Sequence, residues 1–188
     1  MIEKIEFNVS GQITTNTYNR AEYLLYLEKS KKENFGIHRV KSWMNNGKKM
    51  TTEYTGGKPS YFWDSVVKII DSNVVIILNS DASIRFTVSI PEEIIQWEDY
   101  EKCFGKNKFF KKEDYKVKFE RIDEDYYQFD NKFYSIIVVS LEHKKEPFDA
   151  YIQERYLDTE TGVFLPFTKR ISRRNPNQYS YEELTVNL

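Results

Sequence analysis

From Lys4 to Thr14, apolar and polar residues alternate. Ile5, Phe7, Val9, Gly11 and Ile13 fall on one side, and Glu6, Asn8, Ser10 and Gln12 on the other. A period of two with one polar side predicts a half-buried antiparallel strand. The pattern returns in Ile84, Phe86, Val88 and Ile90, and again in Tyr115, Val117 and Phe119, each set alternating with polar residues. Val66 to Ile70 and Val74 to Leu78 are short β-rich runs on either side of Asp-Ser-Asn. Phe133 to Leu141 is apolar on both faces, which marks a central strand. Gly36 to Asn45 carries Val40 and Trp43 and ends at Asn46-Gly47. That dipeptide tolerates positive φ at both central positions of a hairpin turn, so the chain is expected to return over Lys49 to Tyr54. Three edge-like strands are expected at Ala150 to Leu157, Val163 to Ser172 and Gln178 to Val186.

Two segments break the period of two. Arg20 to Glu28, "RAEYLLYLE", fits either template. A helix puts Ala21, Leu24, Leu25 and Glu28 on one face; a strand puts Ala21, Tyr23, Leu25 and Leu27 there. The strand reading is placed slightly ahead, after a turn at Asn16 to Asn19. Pro91 to Gly105, "PEEIIQWEDYEKCFG", is the best helix. Pro opens it, Glu92 and Glu93 suit the dipole of the first turn, and Gly105 suits the C-terminal cap. Its apolar stripe is Ile94, Trp97, Tyr100 and Phe104. About ten strands and one firm helix predict a mainly β (α+β) fold in a single domain, 1–188. The expected form is a large curved antiparallel sheet or unclosed barrel, with one or two helices as a lid.

Composition sharpens this picture. Aromatic residues make up 16% of the chain, which suits a pleated, half-buried surface. The 28 basic residues nearly cancel the 29 acidic ones, so the basic excess of a nucleic-acid binder is missing. The single cysteine, Cys103, has no internal disulfide partner. No run approaches the ~20 apolar residues of a membrane span, so no transmembrane segment is expected. The start, "MIEKIEFNVSGQITT", lacks the basic-then-apolar pattern of a signal peptide. The protein is expected to be extracytoplasmic if an export signal has been removed, and cytoplasmic otherwise.

Each candidate chemistry has a plainer reading that outweighs it. His38 and His143 lie in no ligand-spaced motif and read as surface or strand histidines, so no metal is expected. Cys103 with His143 would make a nucleophile pair on paper, but a free cysteine on a helix is more often a small buried hydrophobe. The acidic run holding Asp123, Glu124, Asp125 and Asp130 lacks the glycine and terminal glutamate of a calcium loop, and reads as a solvated connection. "KNKFFKK" reads as a loop rather than a base-stacking platform, and "RISRRNP" as a hairpin tip. "TGGKPS" lacks the spacing of a phosphate loop. No catalytic motif and no cofactor motif is present.

The aromatic surplus then suggests an apolar concave face. Strand alternation nominates Phe86, Val88, Trp97, Tyr100, Val117, Phe119, Ile136 and Val138 as its lining.

The C-terminal third adds a resemblance. "YLDTETGVFLPF" turns at Asp158 to Gly162, restarts at Leu165-Pro166, and is followed by "YSYEELTVNL". Tyr156, Asp158, Gly162, Leu165, Pro166, Tyr179, Tyr181, Val186 and Asn187 resemble the C-terminal hairpins of the outer-membrane lipoprotein carrier superfamily. The resemblance implies a curved antiparallel sheet or unclosed barrel packed on a helical lid. It also implies a cavity for lipid acyl chains, lipoprotein or another apolar ligand, without catalysis or cofactor. The expected function is therefore a non-enzymatic binding protein with a hydrophobic ligand. The alternative is a cytoplasmic protein–protein interaction factor of immunity or inhibitor type, with a filled β-sheet core.

Overall fold

The computed structural model describes residues 1–9, 15–31, 37–52, 56–91, 94, 98, 101, 112–145, 150–174 and 181–185. The described chain is mainly β, and its strands form three antiparallel sheets, none closed into a barrel. The first sheet holds β1 (Ile2–Val9), β2 (Thr15–Tyr18), β3 (His38–Asn45) and β4 (Lys48–Met50), in the order β2-β1-β3-β4. The second holds β5 (Lys58–Pro59), β6 (Ser65–Asp71), β7 (Val74–Asn79) and β8 (Ile84–Ser89), in chain order. The third holds β9 (Tyr115–Phe129), β10 (Lys132–His143), β11 (Ala150–Leu157), β12 (Arg170–Arg174) and β13 (Tyr181–Thr185), also in chain order. One α-helix, α1 (Arg20–Ser30), is complete among the described residues.

The second sheet is the middle layer, and its parity explains why both faces are apolar. Val66, Ile76 and Leu78 point to the first sheet and α1, where they meet Ile5, Phe7, Tyr23, Leu27, Val40, Trp43 and Trp63. The intervening Val67, Val75 and Ile77 point to the third sheet and meet Phe119, Ile137, Val139, Leu141, Tyr151 and Leu157. A strand buried on both sides has no polar face to show, so "VVIIL" does not alternate. Backbone hydrogen bonds also stitch the sheets together: Val40 N–H donates to Gly57 O (3.1 Å), Ile2 N–H to Trp63 O (2.9 Å) and Phe119 N–H to Ser72 O (2.6 Å).

The expected hairpin at Asn46-Gly47 forms, with φ of 49° and 69°. Several other expectations are corrected. Arg20 to Glu28 is helix, because Asn19 and Glu22 close a capping box: the Asn19 side chain accepts the Glu22 N–H, and Glu22 accepts the Asn19 N–H. The turn expected at Asn16 to Asn19 is instead strand β2 followed by that cap. The acidic connection is part of β9. The strand bulges at Asp123–Asp125 and continues to a tight turn at Asp130 and Asn131, both at positive φ. β11 is interior, between β10 and β12, not an edge.

Val163 to Ser172 is strand only from Arg170. Before that, Phe164 makes a single bridge to Leu157, and Leu165 and Phe167 fold onto Tyr156 and Tyr134 on the outer face of the third sheet. Pro166 in this stretch has no N–H to give a ladder. Arg170 to Arg174, expected at a hairpin tip, pairs with both β11 and β13. The helix expected over Pro91 to Gly105 lies outside the described residues except Pro91, Ile94, Glu98 and Glu101; Cys103 and nearly all of "KNKFFKK" lie outside them too.

Candidate functional site

A cleft of about 470 Å³ opens where the three sheets meet. Five separate segments build it. α1 gives Tyr23; the start of β3 and the residue before it give Ile37, His38 and Arg39; the approach to β5 gives Gly56, Gly57 and Lys58. β6 gives Ile69, and the bulged part of β9 gives Glu120 to Glu124.

The glycines are there for space. Gly57 sits at φ +105°, and a Cβ on it would lie 2.5 Å from Lys68 Cγ and 2.7 Å from Val67 O. Only glycine lets this backbone cross β6 so closely. The crossing brings Gly57 O to Val40 N–H and turns the next side chain, Lys58, inward.

Lys58 is buried. Its Nζ donates to the backbone carbonyls of Asp123 (2.8 Å) and Asp125, and lies 3.6 Å from the centre of the Tyr126 ring. These contacts replace much of the ammonium's hydration and explain the bulge: the carbonyls that leave the β10 ladder turn to the cation. Burial pushes the Lys58 ammonium down to about 7, against the pull of Asp123, Asp125 and Glu124. Glu124 accepts the His38 N–H at 2.9 Å, and burial raises its carboxyl despite that bond and the nearby Lys58. The buried His38 ring lies 4.1 Å from the Tyr26 ring centre. Among the described residues, no three His, Cys, Asp or Glu side chains gather as a metal site.

A second cleft, also about 470 Å³, runs between α1 and the β9–β10 hairpin. Leu24, Leu27, Tyr61, Tyr126 and Phe133 form its apolar part, and Glu28, Lys31, Asp125 and Gln128 its polar part. Tyr61 stacks on Phe133 at 3.5 Å, and the Arg20 guanidinium lies over Tyr61 at 4.7 Å. Phe62 stands beside them, 52% exposed.

Of the residues nominated from strand alternation, Phe86, Val88, Val117 and Phe119 come together in the core between the second and third sheets. Ile136 and Val138 lie on the other face of β10. The register explains the split: Phe119 opposes Val139, and Val117 opposes Leu141, so the odd positions of β10 share their face. Trp97 and Tyr100 lie outside the described residues. Sequence reasoning passed over Lys58, Gly57 and the bulge. The available signals were two glycines before a lysine, and an Asp-Glu-Asp run that interrupts an otherwise alternating strand. No protein-family model, curated protein or solved structure matches the chain.

Proposed function

We propose that the protein is a non-enzymatic binding protein that takes a hydrophobic ligand in the cleft between the three sheets. The observation that carries this reading is the apolar wall of Tyr23, Ile37, Ile69 and Ile122 around a space within the usual range of ligand pockets, roughly 300–1,000 Å³. Ile37 is 48% exposed, an apolar side chain standing at the cleft. The buried amine speaks for binding rather than covalent chemistry. Lys58 Nζ already faces two carbonyls and a ring, so it serves as an anchor for β9. The resemblance of Tyr156, Asp158, Gly162, Leu165 and Pro166 to the lipoprotein carriers favours lipid or lipoprotein as the ligand class.

The test is a titration with Nile red, a neutral apolar dye. The expected result is saturable one-to-one binding that Ile37→Asp weakens by roughly tenfold, the effect of placing a charge against an apolar ligand. Native mass spectrometry should show a co-purified apolar molecule. Absence of dye binding with a folded protein refutes the reading.

The second reading, a protein–protein interaction factor, is favoured by the stacked Arg20, Tyr61, Phe62 and Phe133 group beside the second cleft. Exposed aromatics with an arginine are the usual anchors of protein interfaces. Under this reading, Phe62→Asp abolishes capture of a partner while Ile37→Asp leaves it unchanged.

A further inference from the structure

The charges around the first cleft are unevenly matched. Lys58 is met by the carbonyls of Asp123 and Asp125 and by the carboxylates of the same bulge. Glu124 holds the His38 N–H, Asp123 Oδ1 accepts the Asp125 N–H, and Glu120 is engaged within the protein. The two arginines differ. Arg39 at the start of β3 and Arg121 in the bulged part of β9 both line the cleft and are exposed. Neither guanidinium is in an ion pair or hydrogen bond with a described residue. Gly56, at φ +81°, lies against the Arg39 stem, where a Cβ would meet its Cδ at an ordinary contact distance of 3.8 Å.

On the reading of this cleft as a ligand site, we infer that its ligand is an amphiphile with a single anionic head, the apolar body against Ile37, Ile69 and Ile122 and the head on Arg39 and Arg121. Each of the cleft's acids already has a protein partner, so a cationic head gains less there. A neutral head would leave the two guanidiniums to water. An anion meets both, and the planar fork of arginine suits a carboxylate or a phosphate better than any other side chain does. Salt must weaken the head-group contact and spare the apolar one.

Four probes with one dodecyl chain separate the terms: laurate, dodecyl phosphate, dodecanol and dodecyltrimethylammonium, each titrated below its micelle concentration and followed by tyrosine and tryptophan fluorescence. Laurate or dodecyl phosphate should bind about tenfold more tightly than dodecanol, the worth of one charge-assisted contact, and the ammonium compound more weakly than either. The preferred anion identifies the head as carboxylate or phosphate. In the Arg39→Gln, Arg121→Gln double variant the anion's advantage over dodecanol should disappear. Both positions are exposed, so the variant should unfold at the wild-type denaturant midpoint. Dodecanol binding as tightly as the anions, or an anion preference that survives in the double variant, overturns this inference while leaving the apolar cleft in place. Failure of all four probes to bind overturns both.

Discussion

Lys58 gives up water and holds the bulge of β9 by two carbonyls and a tyrosine ring. Lys58→Met removes the cation and leaves those carbonyls buried without a donor, which should cost about 3 kcal/mol in urea unfolding. The pH dependence has a definite sign. The folded value is depressed from 10.5 to about 7, so between these limits the unfolded chain binds more protons. The contribution of Lys58 to stability is therefore lowest below pH 7 and grows as pH rises toward 10.5. Lys68, pushed down to about 8 by burial, acts in the same direction. Wild type should thus gain stability from pH 7 to 9, and Lys58→Met should lose most of that gain and keep the part due to Lys68. Glu6 does the opposite at the acid end. Lys41, Ser42 and Lys49 hold its carboxyl down at about 2, so its stabilisation is present above 4.5 and lost as pH falls toward 2. Glu6→Gln should cost about 1 kcal/mol at neutral pH, the range of an exposed ion-pair group, and flatten the acid limb of the stability curve.

At the scale of elements, local chemistry overrides periodicity in α1. Only Tyr23 and Leu27 are buried there, one turn apart, and Leu25 is 64% exposed, so neither template describes the segment. The capping box at its start settles the matter, and Asn19→Ala should cost about 1 kcal/mol and lower the melting temperature accordingly. The box is spelled Asn-x-x-Glu in the chain, but the expectation there rested on the alternation of Tyr23, Leu25 and Leu27 and favoured a strand. Legible were β1, β6 to β8, β10 and the Asn46-Gly47 hairpin, where one residue type dominates each face or turn. What escaped was set by distant partners. The β9 strand runs on through three acidic residues because Lys58, some sixty-five positions earlier, donates to the diverted carbonyls. The cleft draws one to five residues from each of five segments, so no local window contains it. The nominated apolar lining was split because the register of β9 on β10 depends on two irregularities that alternation alone does not reveal.

Across the whole molecule, the middle sheet belongs to two cores at once. Ile76 serves the core with the first sheet and α1; Ile77, its neighbour, serves the core with the third sheet. Ile76→Ala and Ile77→Ala should each cost about 3 kcal/mol, the usual toll of a large-to-small change in a buried site. Because β7 is common to both cores, each variant should lower a single calorimetric transition. Two separated transitions in either variant would show that the cores melt independently.

That shared middle layer also bears on how the chain is made. The first and second sheets emerge from the ribosome before any strand of the third does. Until β10 and β11 emerge, Val67, Val75 and Ile77 stand bare to water on a finished ladder. A chain halted once β8 has cleared the ribosome would therefore display a greasy, strand-edged platform, the kind of surface that holdase chaperones shield and that aggregates when they do not.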